Sequence, residues 1–134
     1  MNRIVLALLL SMMIVIPISE STADAAEQKE YLYFRDVTIP AFQNMREFFN
    51  LPNRAGKYEV RLLSDSVGPL TFRIIRAEED IEKEIKRHRS YNIDDHEFHL
   101  SFINPEGKYD LIVEMANSNP ISAALVTVIV VEQL

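Results

Sequence analysis

Over residues 58–62 and again over 70–74 the apolar side chains recur at every second position. Tyr58, Val60 and Leu62 alternate with Glu59 and Arg61, and Leu70, Phe72 and Ile74 alternate with Thr71 and Arg73. A period of two sends successive side chains to opposite faces of an extended chain, so these stretches bury one face of a strand. The pattern returns where His96, Phe98, Leu100 and Phe102 alternate with Glu97, His99 and Ser101, and again where Tyr109, Leu111, Val113 and Met115 alternate with Asp110 and Glu114. Seven strands are expected, over residues 31–37, 44–51, 57–64, 69–76, 95–103, 108–116 and 121–133. The second is the least regular: residues 40–50, PAFQNMREFFN, also suit a short helix with Pro40 at its first position, and a strand is the reading adopted. Short strands with frequent turns and no helix-crossover rhythm imply an all-β fold, an antiparallel two-sheet sandwich.

The triplet Gly-Lys-Tyr occurs twice, at residues 56–58 and 107–109, each followed at equal distance by a proline, Pro69 and Pro120. Laying residues 56–75 over 107–126 gives four identities (Gly, Lys, Tyr, Pro) and seven conservative changes. An internal duplication would give this match, and so would turn chemistry shared by two hairpins. Each triplet is expected to open a hairpin, its strand pairing with the one that follows the proline. Tyr58 and Tyr109 are placed to form tyrosine corners, ring inside and hydroxyl on nearby backbone. The segments GKYEVRLLSDSVGPLTFRI and PEGKYDLIVEM resemble the Gly-x-Tyr strand openings of secreted bacterial sandwich modules, of the pre-peptidase C-terminal, jelly-roll or immunoglobulin-like type. The resemblance implies an extracellular accessory or binding module and carries no catalytic residues with it.

The chain begins with Arg3, an apolar run from Ile4 to Ile18, and Ala23-Asp24-Ala25, the pattern of a cleavable export signal over residues 1–25. The run is short for a membrane span and holds Pro17, so no membrane attachment is expected after cleavage. Residues 26–134 then form a single β-sandwich domain, secreted or in the cell envelope. Without Arg3, Glu20 and Asp24 the charge is −5, from 13 basic and 18 acidic residues. Basic residues form no stripe, which argues against nucleic acid. With no cysteine, thiolate metal sites, thiol nucleophiles and disulfides are excluded, and packing alone must stabilise the domain.

One segment departs from the strand rhythm. In residues 76–95 acids precede bases, and Ala77, Ile81, Ile85 and His88 fall at helical spacing, so a short helix over residues 78–88 is expected as a solvated crossover. The last strand is apolar on both faces from Leu125 to Val131. Such a strand is central and covered, or it lends one face to self-association or a partner.

Candidate chemistry is sparse. Asp65, Asn117 and Asn119 lie in loops that follow the two GKY strands and are the candidate binding residues, although turns favour these types for local reasons. Asp94, Asp95, His96 and His99 supply oxygen and imidazole ligands for a divalent ion, against which His96 and His99, three apart in a strand, point to opposite faces. No GxSxG, HExxH or phosphate-cradling glycine loop occurs, and the chain holds only three glycines. No catalytic residue and no cofactor is assigned. The expected function is a non-enzymatic module binding a protein or polymer partner, with a small enzyme or metal-dependent protein using Asp94 to His99 as the alternative.

Overall fold

A computed structural model describes residues 28–134; the export signal expected over residues 1–25 lies outside the described residues. Eight strands follow in order: β1 (Lys29–Ile39), β2 (Asn44–Phe49), β3 (Gly56–Ser64), β4 (Leu70–Glu78), β5 (Ile81–Ser90), β6 (His96–Asn104), β7 (Asp110–Asn117) and β8 (Ala124–Gln133). They form two antiparallel four-stranded sheets, β1-β8-β3-β6 and β2-β7-β4-β5. Every connection except β4–β5 carries the chain from one sheet to the other, which makes this a jelly roll, the expected sandwich in a rolled topology. The segment 44–49 is a strand, preceded by the turn at Ala41 and Phe42.

The inner faces meet in one core. Val37 and Ile39, Tyr58, Val60 and Leu62, and Val126, Val128 and Val130 face Leu70, Phe72 and Ile74 with Leu111, Val113 and Met115. These are the apolar positions of the period-two pattern, removed from water together. Rings meet across the core as well, Phe72 stacking on Phe98 with centroids 6.2 Å apart.

Three expectations need correction. The GKY strands open no hairpins, because β3 pairs with β6 and β8 while β4 pairs with β5 and β7. Alternation says which face of a strand is buried but leaves its neighbour open. Here the two apolar faces oppose each other across the core, and Pro69 and Pro120 sit in sheet-crossing corners. The helix over 78–88 is absent: Glu79 and Asp80 form a tight turn and residues 81–90 return as β5, making eight strands of the expected seven. The open edge of β4 needs hydrogen-bonding partners along its length, and a β-hairpin supplies them where an isolated helix would not. Ile85 sits as the extra residue of a bulge opposite Ile74 and Ile75, half-buried, while Ile81 is 71% exposed.

Nor are there two tyrosine corners. Tyr58 is fully buried but its hydroxyl meets no hydrogen-bond partner among the described residues, and Tyr109 is half-buried beneath Arg76, whose guanidinium lies 4.6 Å from the ring centre. Burial, followed by the nearby charge of Glu132, pushes the Tyr58 hydroxyl pKa up from its ordinary value.

The doubled triplet has a topological meaning. Exchanging β1 with β5, β2 with β6, β3 with β7 and β4 with β8 reproduces every strand pairing, so the two GKY copies stand at equivalent places. Their registers differ: Tyr58 lies inside β3 opposite Glu132, whereas Tyr109 precedes β7, whose ladder with β4 begins at Asp110 and Ala77. The symmetry is one of strand pairing and not of residue register.

Candidate functional site

Four connections lie at one end of the sandwich, β1–β2 (residues 40–43), β3–β4 (65–69), β5–β6 (91–95) and β7–β8 (118–123). Each exposes a large apolar side chain: Phe42 is 73% exposed, Val67 56%, Tyr91 70%, Ile93 69% and Ile121 85%. Scattered surface hydrophobes are ordinary, but one from every loop of a single end is a pattern.

Hydrogen bonds fix these loops to one another. Asn117, buried at the end of β7, reaches the carbonyls of Ile39 (3.2 Å) and Ser122 (2.9 Å) with its amide nitrogen, and its oxygen accepts from the Asn119 backbone at 2.9 Å. Asn119 accepts from the backbone N–H of Ile121 (2.9 Å) and donates to the Val67 carbonyl (3.1 Å). The Ser66 carbonyl accepts from the Asp94 backbone (3.2 Å) and from His96 Nε2 (3.0 Å). The Asn117 backbone N–H donates to the Gln43 carbonyl at 2.9 Å. The tips therefore form a row, Phe42, Ile121, Val67 and Ile93, on a base that is knitted together.

Phe42 shows that this end is held against local preference. The turn closed by the Gln43 N–H on the Pro40 carbonyl (3.2 Å) places Phe42 at φ 62°, where turns favour glycine or asparagine. A bulky residue in the left-handed region costs roughly 1–2 kcal/mol. The ring is mostly in water, so core packing does not offset that cost.

Beside the row, a hollow of about 330 Å³ is lined by Leu63, Ser64, Asp65, Asp94, Asp95, His96, Leu125 and Thr127. The fold thus gathers Asp65, Asp94, Asp95 and His96, separated by up to thirty residues in sequence, at one place. The remaining candidates go elsewhere. Asn117 and Asn119 are spent on the loop bonds just described. His99 is on the outer face of β6, with Nδ1 3.7 Å from Glu59, itself within 3.6 Å of Lys29 and Arg61.

His96 is occupied on both nitrogens. Its Nε2 donates to a carbonyl, so Nδ1 is the acceptor for the Ser90 hydroxyl at 2.7 Å. A serine hydrogen-bonded to an imidazole has the geometry of a nucleophile with its base. Here both residues are buried, and the second nitrogen meets a backbone carbonyl in place of an orienting carboxylate. The pair latches β5 to β6 and to the β3–β4 loop. Among the described residues no group of three His, Asp or Glu side chains is placed to hold a metal ion.

The sheet faces carry charges, many of them paired. Across β2, β7, β4 and β5, Arg46 pairs with Glu82 (2.6 Å), and Arg73 pairs with both Glu114 and Glu84. The hydrogen bond from Arg73 holds the Glu84 carboxyl below its ordinary pKa. β8, the doubly apolar strand, is central: β1 and β3 pair with its two edges, leaving no free edge for strand addition.

The exposed apolar tips were missed by sequence reasoning because each stands alone among turn residues, without periodicity. The available signal was Val67 beside Gly68-Pro69 and Ile121 beside Pro120, apolar residues where turns favour polar ones.

No protein-family model matches the sequence, and no curated protein sequence matches it significantly. Solved structures share the fold. A Yersinia pseudotuberculosis-derived mitogen superposes with a TM-score of 0.58 at 17% identity, covering 78% of this chain and 85% of the other. PirA gives a TM-score of 0.53 at 18% identity, over 78% and 96% of the two chains. A chain of the cowpea mosaic virus top component gives 0.53 at 11% identity, over 81% and 87%.

Proposed function

We propose that this protein is an exported, non-enzymatic binding module whose recognition surface is the four-loop end of the jelly roll. One observation carries the reading: all four loops of that end expose an apolar tip on a base made rigid by Asn117, Asn119, Ser66 and His96. Pre-organised apolar groups cost little ordering entropy on binding, which is how a small surface gains affinity. Export rests on the amino-terminal pattern over residues 1–25. The non-enzymatic reading rests on the site chemistry, since the serine–histidine pair found among the described residues, Ser90 and His96, is buried. Among chains sharing the fold, one is described as a mitogen and another as part of a virus particle, so a sandwich of this shape supports roles other than catalysis.

The test is capture of a partner by the immobilised protein from medium of the producing cells. The wild type should retain a partner that the doubly substituted Phe42→Ser, Ile121→Ser protein does not, with melting temperature unchanged to within a few degrees. Equal retention by both proteins would remove the loop end from consideration.

A further inference from the structure

We infer that the partner of this end is a polypeptide segment carrying lysine or arginine beside an apolar stripe, an inference that rests on the loop end being the recognition surface. The row of Phe42, Ile121, Val67 and Ile93 supplies the apolar half of the contact. Its charge supplies the other half. Asp65, Asp94 and Asp95 line the hollow together and, among the described residues, none is in an ion pair; on the strands Glu47, Glu59, Glu84, Glu114 and Glu132 are ion-paired, while Glu30, Glu78 and Glu97 are not. One cationic side chain, Arg89, reaches this end, bonded to the Thr71 hydroxyl at 3.0 Å and the Ser118 hydroxyl at 3.4 Å and stacked on Tyr91, and it forms no ion pair with the three aspartates.

Three unpaired carboxylates at one rim repel each other and attract a cation. They are not grouped to hold a metal ion. Leu63, Leu125 and Thr127 line the same hollow. A lysine or arginine side chain matches this division, its methylene stem against the leucines and its charged head on the carboxylates. The same charge opposes a bilayer surface, whose anionic lipids would repel the aspartates next to Ile93.

The experiment uses an array of labelled peptides in which aliphatic residues alternate with lysine and arginine, each paired with a counterpart carrying aspartate and glutamate. Vesicles of phosphatidylcholine and phosphatidylglycerol form a third arm. Binding of the purified protein is read by fluorescence anisotropy. Basic peptides should bind, with affinity falling about tenfold in the Asp65→Asn, Asp94→Asn, Asp95→Asn protein and falling further as salt rises. Leu125→Lys, which tethers a basic side chain at the hollow, should weaken binding in the same direction without altering the carboxylates. Ile93→Ser with Ile121→Ser should abolish it. Acidic peptides that bind as well and are lost with the tip substitutions would overturn the basic partner while leaving the loop end as the recognition surface. Basic peptides indifferent to the tip substitutions would overturn both. Binding to vesicles alone, or to no peptide of the array, overturns the inference.

Discussion

Phe42 and Tyr58 carry opposite lessons about single residues. Phe42 is strained at φ 62° with its ring in water, so the fold gains little from the phenyl group. Phe42→Gly relieves the left-handed strain and adds backbone freedom to the unfolded chain, two terms of opposite sign, with a net stabilisation of about 1 kcal/mol. A denaturation midpoint that rises while partner binding weakens is the expected pair of results. A midpoint that falls would mean that the ring packs usefully. Tyr58 is the converse, a core ring with an orphan hydroxyl. Were it a tyrosine corner, Tyr58→Phe would cost a hydrogen bond of about 1 kcal/mol. Since the hydroxyl is buried without a partner, the substitution should be neutral or stabilising by up to about 1 kcal/mol. Its pKa, raised in the fold, gives stability that is complete below the unfolded-state value of 10.0 and is lost as pH rises through the folded-state value. Urea titrations from neutral pH into that alkaline range should show a smaller loss in Tyr58→Phe than in the wild type.

At the level of elements, β5 is the instructive strand. It is an edge strand of ten residues, six of them charged, with Lys83 and Lys86 exposed among them. That composition suggested a helix, because acid-before-base order and Ile81, Ile85 and His88 at helical spacing are genuine helical features. The same charges suit an edge strand, where they deter pairing with another molecule. Lys83→Val with Lys86→Val should leave stability within about 1 kcal/mol of wild type yet produce concentration-dependent association in sedimentation velocity. A monomer at all concentrations would show that the charges are not needed to guard the edge. β8 presents the reverse case: its apolar run announces a central strand, and the ladders to β1 and β3 occupy both its edges while Val126, Val128 and Val130 enter the core.

Across the whole molecule the two sheets share one core and separate only by unfolding together. Phe72 belongs to the β2-β7-β4-β5 sheet and stacks on Phe98 of the other. Phe72→Ala should therefore cost about 3–5 kcal/mol and unfold both sheets in one transition. Far-ultraviolet and near-ultraviolet circular dichroism should give coincident denaturation curves; separate midpoints would contradict a single core.

What was legible in the chain is what nearest neighbours dictate. Alternation at 58–62, 70–74, 96–102 and 109–115 named these strands and their buried faces, and the opposite orientations of His96 and His99 followed from the same period. Turn chemistry at Asn117 and Asn119 was legible as well, and in the structure these residues do turn work and shape the recognition end from beneath. Partners across the sheet were not legible, because a half-buried strand satisfies its apolar face equally well beside or opposite its sequence neighbour. Only packing two whole sheets decided that β3 and β4 face each other, that residues 81–90 close the edge of β4, and that Asp65 meets Asp94 and Asp95. The recognition end arises in the same way: four tips that mean nothing in isolation along the chain become one surface because the rolled topology turns every second connection to the same side.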